Sequence, residues 1–360
     1  EEGYFEQDVE DLIQKEDMVV TVSDTGYIKR VPLSAYRAQN RGGKGRAGMS
    51  TREEDFVSNV FVAHTHQPVL FFSSSGMVYK LKVYKLPSGT PQARGKAMVN
   101  ILPLDEGETI TTVMALPEDE DSWDNLFVMF ATATGSVRRN RLSDFTNIMA
   151  NGKIAMKLDE HDHLVRVRVF EEEDNVFLAT RNGKCIRFPV RDVRVFSGRT
   201  STGVRGILLT KGDEVIAMSG LRNVRMEVTV RDDYLRSVNA GRRLAGGDYT
   251  DRDDEKSRDE ELAARLHDSQ FFEMANEEEF ILTVTADGIG KRTSAYDYRI
   301  SKRGGKGIDS IDLKRGKEDP TTVVAIIPVV QTDELVMVSD GGQLIRMPVE
   351  GISFTGRPAR

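Results

Sequence analysis

The 360-residue sequence contains one cysteine, Cys185, so it cannot form an internal disulfide. That fits a reducing compartment and makes Cys185 a small strand residue rather than a nucleophile. Long apolar runs are missing too: none approaches the roughly 18 residues a membrane helix needs. The first residues, Glu1-Glu2-Gly3, are acidic where a signal peptide would be basic. A soluble, unexported, cytoplasmic chain is expected, and its 39% hydrophobic content is enough for a substantial core. A surplus of positive charge is also lacking. The net charge is −7, which taken whole argues against a nucleic-acid partner. The deficit is regional, however. Residues 1–17 hold 8 acids and 1 base and residues 221–279 hold 16 acids and 10 bases, leaving 39 bases against 33 acids elsewhere. A basic body with acidic appendages permits DNA binding without demonstrating it.

The most distinctive stretch is Gln39-Asn40-Arg41-Gly42-Gly43-Lys44-Gly45. Its three glycines let the backbone take positive φ and present N–H groups, and Arg41 and Lys44 add full charge beside them. Such a loop suits an anionic oxygen, of which nucleic-acid phosphate is the commonest large source. A nucleotide-binding P-loop would need Ser or Thr after the lysine and then a helix, whereas Gly45 follows Lys44.

The chain repeats itself. An apolar run, a turn ending in glycine and a second run ending in a cation recur six times, with turn glycines at 26, 76, 135, 183, 288 and 341. The second runs are Tyr27-Ile28-Lys29-Arg30, Met77-Val78-Tyr79-Lys80, Ser136-Val137-Arg138-Arg139, Lys184-Cys185-Ile186-Arg187, Ile289-Gly290-Lys291-Arg292 and Gln343-Leu344-Ile345-Arg346. Each copy reads as a β-hairpin with a two-residue turn such as Asn-Gly or Asp-Gly. The spacings are 50, 59, 48, 105 and 53, and the double one contains 221–279. Units of about 50 residues that cannot close their own apolar faces and edges indicate a closed array of six blades rather than one large sandwich. About 15 residues beyond each turn glycine lies a basic, Gly-containing loop: Lys302-Arg303-Gly304-Gly305-Lys306-Gly307 nearly copies the opening stretch. Gln92–Lys96, Asn151-Gly152-Lys153, Gly198–Arg205 and Gly356-Arg357 are weaker echoes. Together they put positive charge on one rim of the blades. The insertion at 221–279 reads as two short helices: Tyr234, Leu235 and Val238 recur at helical spacing, and Ser257 with Glu260 forms a capping box ahead of Leu262 and Leu266. A flexible link from Gly246 through Glu255 joins them, and the whole projects from the fourth blade.

Gln39–Gly45 resembles the box motif of the C-terminal domain of the DNA gyrase A subunit, and the six repeats resemble that family's six β-pinwheel blades. The resemblance covers nearly the whole chain. It implies an all-β, six-bladed β-pinwheel over 18–360, interrupted by 221–279, with 1–17 an acidic linker from a preceding breakage–reunion domain that carries the catalytic tyrosine. The implied function is non-catalytic wrapping of duplex DNA in a type IIA topoisomerase, by a monomeric domain within a bacterial A2B2 holoenzyme that includes the ATP-hydrolysing gyrase B protein. ATP and Mg would be bound elsewhere, and none would be needed in this domain. The box role carries onto Gln39, Arg41, Gly42, Gly43, Lys44 and Gly45; Asn40 departs, since the family usually has a basic residue there. Nucleoid-associated localisation follows. The related domain of topoisomerase IV usually has fewer blades and a degraded box. A protein-binding propeller would need an apolar or mixed-charge face. The blade-rim cations expected to meet phosphates are Arg30, Arg37, Arg46, Lys80, Arg94, Lys96, Arg138, Arg139, Lys153, Arg187, Arg199, Arg205, Lys291, Arg292, Arg303, Lys306 and Arg346. No aromatic stacking platform accompanies them, which favours duplex over single strand. His64 with His66 and His161 with His163 are the only metal-like clusters, and without further ligands they read as solvated loop histidines.

Overall fold

The computed structural model describes residues 9–36, 55–246, 253–314, 321–338 and 344–357. Two compact units are present: residues 1–171, 193–205 and 335–347 form one, and 172–192, 206–334 and 348–360 the other.

Each of the first five repeats is built on a hairpin whose first strand is buried on both faces, so it reads as a continuous apolar run and not as an alternation. In the first unit, β1 (Asp17–Ser23) pairs with β2 (Tyr27–Pro32) and with β3 (Val57–His64). The second repeat has β4 (Pro68–Ser73), β5 (Met77–Lys82), a short β6 (Lys96–Ala97) and β7 (Ile110–Ala115). The third has β8 (Phe127–Thr132), β9 (Ser136–Arg141), β10 (Lys153–Ile154) and β11 (Leu164–Phe170). In the second unit the fourth repeat supplies β12 (Asn175–Thr180) and β13 (Lys184–Pro189). Its two short strands β14 (Val195–Phe196) and β15 (Val204–Arg205) belong to the first unit, and β16 (Val215–Leu221) returns to the second. The fifth has β17 (Phe280–Thr285), β18 (Gly290–Ser294), β19 (Ile308–Asp309) and β20 (Val323–Val329); β21 (Glu334–Val338) and β22 (Leu344–Pro348) form the sixth hairpin, whose residues 335–347 belong to the first unit.

The turns are not the two-residue kind expected. In each of the five described turns the glycine N–H bonds back three residues, as Gly26 N to Ser23 O at 3.0 Å, and the glycine sits at positive φ, 91° for Gly26. That is a longer turn closed by a glycine bulge. The hydroxyl that starts each turn accepts the N–H just after the glycine: Ser23, Ser73, Thr132, Thr180 and Thr285 all do so at 3.1–3.2 Å.

Strand exchange between repeats, which periodicity leaves open, is plain in the sheets. Their orders are β3-β1-β2-β6, β10-β5-β4-β7, β11-β8-β9-β14 and β16-β12-β13-β19, so each sheet is completed by a short strand from the next repeat. The donated segment pairs with the second hairpin strand, twice on β2, β9 and β13, with the antiparallel contact on β5 and the parallel one on β18. It first runs parallel beside the fourth position of that strand (Ser88 at Arg30, Val195 at Arg139, Ile300 at Arg187, Phe354 at Arg292). It then runs antiparallel beside the first two (β6 on Tyr27–Ile28, β10 on Met77–Val78, β15 on Ser136–Val137, β19 on Lys184–Cys185). Neighbouring sheets share a core: Phe72 packs edge-on against Phe130 and Phe145 at 5.6 and 5.9 Å, and Phe177 against Tyr298 at 5.1 Å.

The insertion differs from expectation. Three helices are described: α1 (Val228–Gly246), α2 (Asp253–Ala264) and α3 (Ser269–Glu277). Ser257 lies inside α2 and caps nothing; of the flexible link expected from Gly246 through Glu255, Gly246 ends α1 and Asp253 to Glu255 begin α2, while 247–252 lie outside the described residues. Instead of only projecting, the helices dock on the turn after β18. Tyr234 and Phe271 surround Tyr296, whose hydroxyl donates to Met274 O at 2.8 Å. Leu221, placed in the insertion by charge counting, is the last paired residue of β16.

Candidate nucleic-acid interface

The double pairing leaves an arch. Between its parallel and antiparallel contacts, each donated segment passes over the third hairpin position, and the arches are the basic loops. A glycine begins the antiparallel part of each because the backbones touch there: a Cβ on Gly95 would lie 2.4 Å from Ile28 O, on Gly203 2.4 Å from Val137 O, and on Gly307 2.3 Å from Cys185 O. All three have φ of +73° to +87°, where an L side chain is strained. Gly152 meets the Tyr79 ring instead, at 2.5 Å.

The fifteen rim cations that lie among the described residues divide by burial. Those of the hairpin strands, expected on a DNA-facing rim, are mostly inside. Arg30 donates from Nε to Leu86 O at 2.8 Å, Lys80 from Nζ to Thr146 O at 2.7 Å and Arg139 to Val193 O at 3.4 Å. Arg187 donates to Ala295 O, Tyr298 O and Arg222 O at 2.9, 3.4 and 2.7 Å, and Arg292 to Ile352 O and Glu350 O at 2.7 and 3.1 Å. These acceptors lie in the segment after the following hairpin, apart from Arg222 at the head of the insertion. The cation at position four therefore ties one repeat to the next. Arg138 is fully buried and donates to Arg199 O and Ser201 O, both at 2.7 Å, and to Ala155 O. Lys291 is 1% exposed and donates to Gly356 O at 3.2 Å and to Arg357 O. A strand buried on both faces leaves a long cation no route to water, and carbonyl oxygens supply the partners a buried charge requires. Burial pushes the Arg138 and Arg187 guanidiniums down, to about 10, so both stay charged at neutral pH. Burial, with Arg357 nearby, pushes Lys291 down to about 8.

The loop cations remain at the surface. Lys96, Arg205 and Lys306 are exposed, as are Lys302 and, on β22, Arg346. Arg94 lies half-buried with its guanidinium 3.7 Å from the Tyr27 ring centroid, a cation–π contact that fixes its direction. Lys153, Arg199 and Arg303 each brace their loops through one carbonyl, Asn147 O at 2.7 Å, Ile154 O at 2.8 Å and Asp192 O at 3.2 Å. Arg37, Gln39, Arg41, Gly42, Gly43, Lys44, Gly45 and Arg46 lie outside the described residues. The hairpin pattern also passed over exposed Arg166 and Arg168 on β11; alternation within Leu164–Phe170 was the available signal.

The other candidates are structural. His66 is 8% exposed rather than solvated, with Nε2 2.7 Å from Ile13 O, and His64 lies 3.4 Å from Glu118. With Lys15 on Glu118 at 3.0 Å and Thr65 Oγ1 donating to Gln14 O at 2.7 Å, they strap residues 13–15 to the first two repeats. The hydrogen bond from Lys15 holds the Glu118 carboxyl below its ordinary range. No group of three metal-ligating side chains occurs among the described residues. The Cys185 thiol is buried, which pushes it up to about 12. No helix among the described residues is long and apolar enough to cross a membrane.

Comparison with known proteins agrees with this architecture. The DNA gyrase A subunit of Rickettsia bellii is 52% identical over 357 residues, 99% of this chain, and that of Staphylococcus aureus strain NCTC 8325 is 38% identical over 358. The chain spans 38% and 34% of the length of these two relatives. Among solved structures, the C-terminal domain of DNA topoisomerase IV aligns with a TM-score of 0.70 at 19% identity, covering 97% of this chain and 88% of that one. A DNA gyrase A C-terminal domain aligns at 0.60 and 22%, covering 96% and 94%. At such identities the two structures establish the β-pinwheel fold alone and do not discriminate between the enzymes. The family described as DNA gyrase C-terminal domain, beta-propeller, matches in six segments, residues 17–64, 67–117, 127–171, 174–219, 279–320 and 333–360, which coincide with the six repeats, and the chain belongs to that family.

Proposed function

We propose that this chain binds duplex DNA along the arches between its repeats and bends it, as the non-catalytic wrapping part of a DNA gyrase. The observation that carries the reading is the division of the cations: strand cations bond internally to carbonyls, while Lys96, Arg205 and Lys306 stand exposed on or just beyond the arches of repeats two, four and five. Smoothly bending 20–30 base pairs by 40–90° costs about 1–6 kcal/mol, more than one patch offsets, whereas successive arches each release counterions as they meet a phosphate. Sequence preference then comes from bendability rather than base edges. The box at Gln39–Gly45 supplies the last contact of the DNA path. In the holoenzyme, a breakage–reunion part with the catalytic tyrosine, the gyrase B protein and ATP with Mg use the wrap to introduce negative supercoils in an A2B2 assembly at the nucleoid. The 52% identity to a gyrase A protein supports gyrase over topoisomerase IV.

The test is topological. A nicked circle ligated with the chain bound should trap supercoils, and affinity should fall with log salt by about 0.9 in log K per phosphate neutralised. No trapped supercoils together with a flat salt response would overturn the reading and favour a protein-binding propeller. Arg41→Ala with Lys44→Ala, in the full-length gyrase A protein supplied with gyrase B and ATP, should leave relaxation and abolish negative supercoiling.

A further inference from the structure

The third position of the hairpin's second strand lies directly under each arch, and its residue changes from repeat to repeat: Lys29, Tyr79, Arg138, Ile186, Lys291 and Ile345. Under the arches of repeats two, four and six it is a cation. Lys29 Nζ donates to Thr90 O, Pro91 O and Ala93 O at 3.0, 2.6 and 2.9 Å, with no exposed surface. Arg138 gathers Arg199 O and Ser201 O, and Lys291 gathers Gly356 O and Arg357 O. In each case the arch turns carbonyls inward onto a buried charge. Repeat five differs. Ile186 lies beneath it, with Cδ1 3.9 Å from a Cβ built on Gly305, and this arch is the Arg303-Gly304-Gly305-Lys306-Gly307 copy of the box. Thus the double-glycine arch goes with isoleucine, and arches without it go with a buried cation, or in repeat three with Tyr79.

Carbonyls on a buried cation do two things to an arch. They fix its backbone, because three ion–dipole bonds to one ammonium restrict it to one conformation, and they bring a full positive charge beneath it. The Lys29 charge is balanced by dipoles and not by a carboxylate, so its field persists at the surface of the arch that carries Arg94 and Lys96.

We propose that Lys29, Arg138 and Lys291 are positioning residues for DNA contact, each holding the next repeat's arch so that its exposed cations meet a phosphate, while the double-glycine arch over Ile186 dispenses with such a residue. This rests on the DNA-wrapping reading above. The test is a double-mutant cycle on the 360-residue chain with a linear duplex, reading binding constants over a salt series and thermal unfolding in parallel. Lys96→Ala removes one exposed cation and should lower the salt slope by about 0.9. Lys29→Met removes no exposed charge, yet it should weaken binding several-fold at low salt and lower the slope by one to two phosphates, about 0.9–1.8. The combination with Arg94→Ala and Lys96→Ala should be no worse than those two changes alone, because the effect passes through them. Lys29→Arg should restore binding, and Ile186→Met under the double-glycine arch should leave it unchanged. A merely structural Lys29 would lower the unfolding temperature while leaving slope and affinity as in the wild type, and that result, or an additive cycle, overturns the proposal. Should Lys29→Met fail to fold, Lys29→Gln, which keeps two N–H donors without the charge, carries the same cycle. A wild-type chain with no salt-dependent DNA binding would instead overturn the wrapping reading itself.

Discussion

Arg187 separates a structural cation from a DNA contact most sharply, because the hairpin pattern offers it as a rim residue and the structure buries it at 5% exposure. The perturbation is Arg187→Ala. Two short bonds are lost, to Ala295 O at 2.9 Å and Arg222 O at 2.7 Å, with a longer one to Tyr298 O at 3.4 Å. Hydrogen bonds to a charged group contribute about 1.5–3 kcal/mol each, so the two short ones give about 4 kcal/mol, and the carbonyls left behind are buried without a partner. The guanidinium's burial already costs free energy, so replacing it removes that cost and keeps the total near this value rather than above it. At about 2–4 °C per kcal/mol for a unit of this size, the unfolding temperature should fall by roughly 10 °C. Differential scanning calorimetry reads that fall, and fluorescence anisotropy of a labelled duplex across a salt series, below the transition, reads DNA binding. The salt slope should match the wild type. A slope lower by about 0.9 with an unchanged unfolding temperature would refute the reasoning and return Arg187 to the DNA surface.

Gly95→Ala forces a methyl to within 2.4 Å of Ile28 O at a φ of +82°, and the combined clash and left-handed strain should cost about 2–4 kcal/mol, read as a lower urea midpoint at constant m. Lys291, ordinarily near 10.5 and held at about 8 by burial, binds fewer protons folded than unfolded between those values. Its contribution to stability should therefore rise as pH climbs from about 8 to about 10.5, and Lys291→Met should flatten that part of the difference curve in urea titrations at paired pH values. A steeper rise in the variant would contradict the assignment. Replacing 223–278 by a short Gly/Ser linker, which spares Leu221 and Arg222, should lower stability by uncovering Tyr296 while keeping one cooperative transition and the wild-type salt slope; loss of cooperativity would show the helices to be part of the blade core.

Much of the fold was legible because it is local. The turn glycines and the apolar runs are short-range requirements of a hairpin, so they repeat in the sequence wherever the hairpin repeats, and the doubled spacing marks the insertion. The exposed cations of the arches were legible for the same reason, sitting beside the glycines that let the backbones touch. The destination of the strand cations was not. Whether Arg30 faces water or Leu86 O depends on a segment 56 residues away, and Arg187 reaches an acceptor 108 residues on. A cation at the end of a strand reads as a solvated terminus until another chain segment covers it. Strand exchange is of the same kind: two-residue strands such as Lys96–Ala97 carry no periodicity, and only the edge they complete makes them strands. The sequence alone determined the repeat, its count and its charged loops, since those follow from the chemistry of a few neighbouring residues. Tertiary structure decided which charges are spent holding repeats together and which are left to meet a partner, because burial is a property of what packs from elsewhere in the chain.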